Sequence, residues 1–583
     1  MPEKKSLSYY INKSQENIEE HSKKIRIALL SSFSINGLKE VIQVKSSERK
    51  ISSIIYEAPY NQYSQEILNQ ESKLYEFSPD ITFLLLDTRS ILGEIFRFPY
   101  LISKLERENF LGQKINEIKN LAQKFAEKSN SKLIISKLNI PSFSPYGIFE
   151  EKTEFGFHQM IEKFNQQISK EFLNLENIFV FDFNRFVSRY GEHNVFDYSQ
   201  FFFGDLKISM EYLPEFGEDL MKYVIAHLGI SKKCIVLDLD NTLWGGIVGE
   251  DGFNGIKLGP EPPGNAFMEF QRVLLSLHQR GIILAINSKN NLDDAMQVIK
   301  EHPYMVLKED NFAAMRINWK DKVSNMKELV KEINIGMESI VFIDDDPVNR
   351  ELIKSSLPEI LVLDIPNDPS TYAPTIENMI DFSVMKITDE DKNRGKMYAK
   401  QKMINGLEES ATDLQSFLNQ LELKIFIKEV DEFTLPRVSQ LTLKTNQFNL
   451  TTKRYQESDI NNMINNPNYL VGCAQVEDKF GDNGITAVFI IKKENKKEWL
   501  IDTFLMSCRI MGRDIEKGIM AHIINKAKEC GVEKIKANFF PTQRNKPVEN
   551  FLPHFEFRKE GDTWEYTIKS EIKLPEYLTV KVE

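Results

Sequence analysis

The stretch CIVLDLDNT (234–242) decides the fold of the middle of this 583-residue chain. Its first four residues form a short apolar run, and Asp238, Leu239 and Asp240 follow at once. Such a run is typical of a parallel strand that is buried on both faces. Alternate residues of an extended segment point the same way, so Asp238 and Asp240 can converge on one cation or one phosphate where the strand ends.

Three similar runs follow, namely GIILAINSKN (281–290), MESIVFIDDDP (337–347) and EILVLDIP (359–366). The segment between the first two strands, AFMEFQRVLLSLHQRG (266–281), has apolar residues at helical spacing and a glycine where a helix can stop. Alternating strands and helices predict a parallel α/β domain, which we place at residues 226–380. Ligands bind such open sheets at the carboxyl ends of the strands.

The two flanking regions have different patterns. Residues 1–225 contain further buried-strand runs separated by long spacers, which predicts another α/β domain. Residues 381–583 begin with a charged segment that predicts a bridging helix. Strands split by GDNG and KENKK turns, a helix and a further strand then predict an α+β domain with antiparallel hairpins. The expected fold class is therefore α/β and multidomain.

Composition excludes several classes of protein. The net charge of −11 argues against general nucleic-acid binding, because such binding needs a cationic surface. No apolar stretch approaches the roughly 20 residues of a membrane span, and the N-terminus lacks a signal-peptide core, so we expect a cytoplasmic protein without a membrane partner. The four cysteines have neither disulfide-framework nor zinc-ligand spacing. The oligomeric state does not follow from the sequence.

A second acidic cluster, Asp344, Asp345 and Asp346, comes after the strand SIVFI. Together with the carboxylates at 238 and 240 it would place four or five negative charges at one sheet edge. These charges repel one another unless a cation lies among them, and Mg²⁺ prefers such oxygen ligands. Ser288, Lys320 and Lys322 lie between the clusters, and their side chains can donate to phosphate oxygens.

This ordered set resembles the haloacid dehalogenase (HAD) superfamily, which implies a Rossmann-like core and phosphatase or phosphotransferase activity. The resemblance implies that Asp238 is the nucleophile, forming an aspartyl phosphate, and that Asp240 is the general acid and base. It also implies a Mg²⁺ site formed by Asp238, the backbone carbonyl of Asp240, and Asp344 or Asp345. A carboxylate suits the nucleophilic role because it is already ionised at neutral pH.

The same resemblance implies which residues hold the transferred phosphate. Thr242 and Ser288 would bind its oxygens, and Lys322 would neutralise its charge. Lys320 is the alternative lysine.

Within the superfamily, VLDLDNTLWGGIVGEDG (236–252) and FIDDDPVNR (342–350) resemble the FkbH-like branch. That resemblance implies a glyceryl transferase. Its substrate would be a phosphorylated three-carbon compound, 1,3-bisphosphoglycerate, and its partner the phosphopantetheine arm of an acyl carrier protein. The sequence departs from the expected DDNPxER at Asp346 and Asn349, beside the metal site.

The FkbH-like resemblance also implies an SGNH-hydrolase-like N-terminal domain. Here SSFSINGL (31–38) lacks the Gly-Asp of the hydrolase nucleophile block, and residues 197–214 lack an Asp-x-x-His pair. A serine nucleophile needs a base. We therefore expect a non-catalytic domain for recognition or docking, and we expect His158 and His193 to be structural.

The C-terminal domain resembles GNAT acyltransferases through WLIDTFLMSCRIMGRDIEKGIM (499–520). Cys508 is a candidate catalytic thiol for a glyceryl thioester, because Arg509 and Arg513 would favour its thiolate. The alternative is a buried structural cysteine. The segment 441–455 contains four polar side chains that could bind substrate: Lys444, Asn446, Gln447 and Asn449. The alternative is that they belong to a solvated loop.

Two other functions stay open at this point. The chain could be a phosphatase or phosphotransferase for another small metabolite, with its end domains used for recognition. It could also be a non-catalytic scaffold in polyketide, peptide or glycan biosynthesis. The carboxylates argue against the scaffold hypothesis, because five of them at one sheet edge are costly to keep without a metal.

Overall fold

A computed structural model describes most of the chain, and it divides into two compact units, Met1–Val224 and Ile225–Glu583. The described residues are 5–16, 20–387, 413–445, 447–507, 510–542, 545–561, 563–569 and 574–582. Parallel and mixed sheets with packed helices confirm the α/β, multidomain class. Within these ranges no helix is both long and apolar enough to cross a membrane.

The first unit contains a five-stranded parallel sheet. Its strands are β1 (Lys23–Ser31), β2 (Ile51–Glu57), β3 (Ile81–Leu85), β4 (Lys132–Ser136) and β5 (Ile178–Phe181). Their order is β2-β1-β3-β4-β5, a doubly wound arrangement. The α-helices are Leu7–Gln15, Leu38–Glu48, Tyr63–Leu68, Lys73–Phe77, Thr88–Leu92, Lys104–Lys128, Phe157–Glu171, Phe183–Tyr190, Glu192–Val195, Tyr198–Gly204 and Leu213–His227, the last running past the unit boundary.

The second unit begins with another parallel sheet of five strands. They are β6 (Cys234–Leu237), β7 (Ile283–Ser288), β8 (Phe312–Ile317), β9 (Ile340–Ile343) and β10 (Leu361–Leu363), in the order β10-β9-β6-β7-β8. The α-helices around it are Val248–Asp251, Gly264–Gln279, Leu292–Glu301, Lys322–Ile333, Pro347–Ser356 and Tyr372–Glu377.

The central strand β6 is buried on both faces, as its apolar sequence predicts. Ile235 and Leu237 belong to one hydrophobic cluster, whereas Cys234 and Val236 belong to another on the opposite face. This two-sided burial fixes β6 in the middle of the sheet. Its carboxyl end therefore lies at the centre of the sheet edge, where Asp238 follows.

The remainder of the second unit contains a mixed nine-stranded sheet. Its strands are β11 (Leu423–Glu429), β12 (Phe448–Asn449), β13 (Tyr469–Asp478), β14 (Gly481–Lys493), β15 (Glu498–Met506), β16 (Lys534–Ala537), β17 (Arg558–Glu560), β18 (Thr563–Thr567) and β19 (Leu578–Val582). The described α-helices here are Leu414–Leu421, Leu435–Lys444, Glu457–Ile464, Ile515–Glu529 and Phe551–His554.

The order of this sheet is β17-β18-β16-β15-β14-β13-β11-β19, with β12 paired to β15. The antiparallel hairpin β13–β14 confirms the pattern expected there. The sequence predicts its turn at GDNG (481–484), whereas the structure has the turn just before this stretch, at residues 479–480. Gly481 and Asp482 already pair with β13, and register shifts between the two strands accommodate the extra residues. Cys508 and the predicted bridging helix lie outside the described residues, apart from Lys386 and Ile387 at its start, which are not helical.

Candidate active site

The acidic side chains meet because β6 and β9 are adjacent parallel strands in matched register. Leu237 at the end of β6 pairs with Ile343 at the end of β9. The next residue of each strand is Asp238 and Asp344, and the Asp238 N–H donates to the Ile343 carbonyl at 2.9 Å. The two aspartates are therefore placed side by side at the sheet edge by strand pairing alone.

Three carboxylates form the cluster: an oxygen from each of Asp238, Asp344 and Asp345 lies within 4.8 Å of the other two. Lys322 lies against two of them. Its Nζ is 2.5 Å from Asp344 Oδ2 and 2.9 Å from Asp238 Oδ1. Asp238 Oδ1 is buried, and the Lys322 ammonium is its ion-pair partner.

Lys322 is held in place by its position in the chain. It is the first residue of the helix Lys322–Ile333, whose N-cap Asp321 accepts a hydrogen bond from the Ser324 N–H. Its carbonyl accepts a hydrogen bond from Asn287 Nδ2 at 2.9 Å. Its side chain is 1% exposed, so the ammonium is directed into the cluster rather than into solvent.

One ammonium does not neutralise three carboxylates. Burial, together with the charges of Asp238 and Asp344, raises the pKa of Asp345 to about 6. Burial and Asp238 also raise the pKa of Asp344, in spite of the nearby lysine. Burial alone would lower the pKa of Lys322, but the two carboxylates beside it raise it. This excess of buried negative oxygen fits Mg²⁺, held by Asp238, Asp344 and Asp345.

Asp240 is held apart from this cluster by three donors. Its Oδ1 accepts from Trp244 Nε1 at 2.8 Å and from the Val248 N–H at 3.1 Å, and its Oδ2 accepts from Asn290 Nδ2 at 2.8 Å. Burial nevertheless raises the pKa of Asp240, against the effect of these hydrogen bonds. A carboxyl with a raised pKa and a fixed orientation suits proton transfer. Its backbone carbonyl as a metal ligand stays a prediction.

The structure also places the predicted phosphate-binding residues. Thr242 is fully buried, and its Oγ1 has no hydrogen-bond partner among the described residues. Ser288 is buried at the end of β7, the strand next to β6. Of the two candidate lysines, Lys322 reaches the carboxylates, whereas the Lys320 side chain is 64% exposed and lies near Glu328.

Several contributing residues were not predicted from the sequence. Asn290 orients Asp240 and lies two residues beyond Ser288, a spacing that an alternation argument could have used. Arg350 Nη1 donates to the carbonyls of residues 344 and 345, at 2.8 and 2.6 Å. The unexpected Asp346 caps the helix Pro347–Ser356 by accepting from the Val348 N–H. The departure from DDNPxER therefore includes a residue with a local structural role.

The other candidates lie away from this cluster or outside the described ranges. Asn449 is buried, and its side chain hydrogen-bonds backbone groups of Thr445, Thr451 and Thr452, which indicates a turn-forming role. Lys444 is the last residue of the helix Leu435–Lys444, and Gln447 is half-buried. Asn446, Cys508 and Arg509 lie outside the described residues.

His158, one of the two histidines expected to be structural, has its ring Nε2 3.0 Å from the Phe143 carbonyl. His193 is exposed in the short helix Glu192–Val195. In the C-terminal sheet, Arg513 is buried and forms an ion pair with Asp478 at 3.2 Å.

The chain is similar to one known protein family and to several solved structures. Residues 26–225 match the family described as FkbH, N-terminal domain. The resemblance to FkbH-like proteins is therefore confirmed for this part of the chain, while the SGNH-like assignment stays a prediction. No curated protein sequence matches the chain significantly.

One solved structure is similar to about two thirds of the chain. It is the N-terminal part of a Bacteroides fragilis protein, which contains a phosphatase domain and was crystallised in complex with Mg. The match has a TM-score of 0.61 and 27% identity, and covers 66% of this chain and 100% of that chain.

Acetyltransferases also match part of the chain. The ribosomal-protein-S18-alanine N-acetyltransferase of Escherichia coli has 11% identity and a TM-score of 0.21, covering 25% of this chain and 95% of its own. A GNAT-family acetyltransferase of Staphylococcus aureus has 13% identity and a TM-score of 0.21, covering 25% of this chain and 99% of its own. Acyl transfer by this chain stays a prediction.

Proposed function

We propose that the second unit is a Mg²⁺-dependent enzyme that removes phosphate from a small metabolite through Asp238. The observation that carries this proposal is the cluster of Asp238, Asp344 and the half-buried Asp345, whose oxygens lie within 4.8 Å of one another, with Lys322 paired to the first two. The similar Bacteroides fragilis protein, with its phosphatase domain and bound Mg, supports the same chemistry. The bound cation would offset the repulsion between the cluster and an incoming phosphate.

In this mechanism Asp238 attacks phosphorus, its Oδ–P bond forms, and the bond from phosphorus to the leaving oxygen breaks. Asp240 donates a proton to that oxygen, since its raised pKa keeps the acid form accessible. Water then attacks the aspartyl phosphate, Asp240 takes its proton, and Asp238 is regenerated with release of phosphate. The ammonium of Lys322 and the hydroxyls of Thr242 and Ser288 hold the phosphoryl oxygens.

The substrate we propose is 1,3-bisphosphoglycerate, on the basis of the FkbH-like resemblance. Its acyl carbon is activated, so a thiol can displace the 1-phosphate and form a glyceryl thioester, while the phosphatase site removes the second phosphate. Cys508 is the proposed enzyme thiol. A second thioester exchange would pass the glyceryl group to the phosphopantetheine thiol of an acyl carrier protein.

The test is to incubate the enzyme with bisphosphoglycerate, Mg²⁺ and a phosphopantetheinylated carrier protein from the same gene neighbourhood, and to measure the mass of the carrier. We expect a gain of one glyceryl group. Asp238→Asn should abolish phosphate release, and the exposed control Glu269→Gln should retain it. Cys508→Ala should release phosphate without loading the carrier. A carrier without added mass, at full phosphate release, contradicts the glyceryl transfer but not the phosphatase.

A phosphatase for another metabolite is the second candidate, favoured by the carboxylate cluster, which needs only a phosphate ester and not a particular carbon skeleton. This second hypothesis predicts that Cys508→Ala releases phosphate from the physiological substrate as fast as the wild type does. The scaffold hypothesis predicts Mg²⁺ binding without turnover of any phosphate ester, and a panel of phosphorylated three- to six-carbon metabolites distinguishes the two.

A further inference from the structure

A second cavity lies wholly within the first unit, at the carboxyl ends of β3 and β4. It is a cleft that opens to solvent. Its walls are mainly aromatic, formed by Phe96, Phe143, Phe196, Tyr198 and Phe201. None of the residues that line it belongs to the carboxylate cluster of the second unit, so any ligand bound here is independent of the proposed phosphatase site.

Buried polar groups that already satisfy one another form part of the lining. The Lys207 ammonium pairs with the Asp87 carboxylate and donates to Asn139 Oδ1 at 2.7 Å. Thr88 Oγ1 donates to the Asn139 carbonyl at 2.7 Å. These side chains are all less than 10% exposed. The ion pair brings no net charge to the cleft, and its hydrogen bonds make that wall rigid.

Two arginines in the lining are not satisfied in this way. The Arg89 guanidinium lies 4.8 Å from the ring centre of Phe201, and the Arg97 guanidinium lies 5.1 Å from that of Phe143. Neither guanidinium has a hydrogen bond or an ion pair within the described part of the chain. Stacking on a ring leaves the N–H groups at the guanidinium edge available for an anion.

The acidic neighbours of these arginines are few and already bonded. Glu192 also lines the cleft, and its Oε2 accepts from the Ser142 N–H at 2.7 Å. Asp205 interacts electrostatically with Arg89, and its Oδ2 accepts from the Tyr60 hydroxyl at 2.5 Å. The Lys207–Asp87 pair is neutral, so the remaining charged groups that line the cleft are the guanidinium groups of Arg89 and Arg97 and one carboxylate, Glu192. The lining therefore has an excess of positive charge.

We propose that this cleft binds a small organic acid, with its carboxylate on Arg89 and Arg97 and an aromatic or branched apolar body against the ring walls. A guanidinium binds a carboxylate through two parallel N–H donors, and the flat aromatic walls exclude water from that contact. The proposal requires no catalytic serine or base in the first unit, only binding.

The probe is 2-naphthoate, titrated into the full-length protein by isothermal calorimetry. Its controls are 2-naphthamide, which keeps the ring system without the charge, and acetate, which keeps the charge without the rings. We expect 2-naphthoate to bind at least tenfold more tightly than either control. Because none of the three is a phosphate ester, the test does not depend on the activity of the second unit.

Variants locate the binding. Arg89→Ala combined with Arg97→Ala should weaken 2-naphthoate binding at least tenfold, and Arg97→Glu, at an exposed position, should weaken it further than Arg97→Ala. Arg185→Ala removes the same charge from an exposed side chain outside the cleft and should leave the affinity unchanged. No binding of 2-naphthoate at 1 mM, equal affinity for the amide, or undiminished binding by the double variant would overturn the proposal.

Discussion

Replacing Lys322 by Met tests directly whether the carboxylate cluster is built around a cation. The substitution keeps the length and apolar stem of the side chain but removes the ammonium that pairs with Asp238 and Asp344. Because the side chain is buried, water cannot replace the lost charge. Three carboxylates then share a buried site without any cation, and the metal-free protein should be destabilised.

The size of the effect follows from the distances. At an effective dielectric of about 20, a pair of unit charges 2.9 Å apart attracts by about 6 kcal/mol, and carboxylate oxygens no more than 4.8 Å apart repel by about 3.5 kcal/mol or more per pair. Proton uptake and relaxation offset part of the loss, and breaking a buried ion pair typically costs about 3 to 5 kcal/mol. At about 2 °C per kcal/mol, this lowers the Tm by roughly 6 to 10 °C.

Differential scanning calorimetry of the metal-free protein, with and without Mg²⁺, measures both consequences. Mg²⁺ at about 100 times its Kd should add about 2.7 kcal/mol to the wild type. At equal Mg²⁺ the gain should be larger in Lys322→Met, because the metal replaces the missing cation, while phosphate release should be lost. The matched control, Lys320→Met, removes an exposed ammonium and should change stability by less than about 1 kcal/mol.

Two results would refute this reasoning. If Lys322→Met raises the Tm of the metal-free protein, the lysine is not the counter-charge of the cluster. If Mg²⁺ stabilises neither protein, the three carboxylates are not a metal site, whatever the activity of the second unit.

Three further predictions concern proton binding and buried charge. The folded-state pKa of Asp345, about 6, lies above the unfolded value of about 3.9. The Mg²⁺-free protein should therefore become more stable as the pH falls through 6. Calorimetry should show a smaller dependence of stability on pH in Asp345→Asn. Asn290→Ala removes a hydrogen bond that lowers the pKa of Asp240, so the corresponding limb of the pH–rate profile should move to higher pH, and an unmoved limb contradicts the assignment. Arg513→Ala leaves Asp478 buried without this partner and should cost about 3 to 5 kcal/mol in urea unfolding, and a loss below 1 kcal/mol would show that the pair is not structurally important.

The main elements of the site were predictable because they depend on strand ends. Runs such as IVFI specify buried parallel strands, and the residue after each run must lie at the sheet edge. The rule predicts that Asp238 and Asp344 lie at this edge, and in the structure both directly follow the paired ends of β6 and β9. The same rule put Ser288 at the end of the adjacent strand, and the structure has it there.

Contacts that depend on loops could not be derived in this way. Asp240 is oriented by Trp244, Val248 and Asn290, which reach it from two separate loops after β6 and β7. Neither loop has a periodic pattern, so the sequence gives no distance between them. The cleft of the first unit is a similar case, because Arg89 and Phe201 lie in two short helices more than a hundred residues apart, and the sequence gives no distance between these helices.

The choice between the two lysines shows where a local signal was available. Lys320 and Lys322 are two residues apart, so in an extended segment both would point the same way. Asp321 is a favourable N-cap, and the apolar spacing after it is helical, which starts the helix at the next residue. Lys320 is thereby left in the exposed loop before the cap, while Lys322 lies in the first turn and is directed at the carboxyl ends of β6 and β9. The N-cap, rather than the spacing of the lysines, decides which ammonium reaches Asp238 and Asp344.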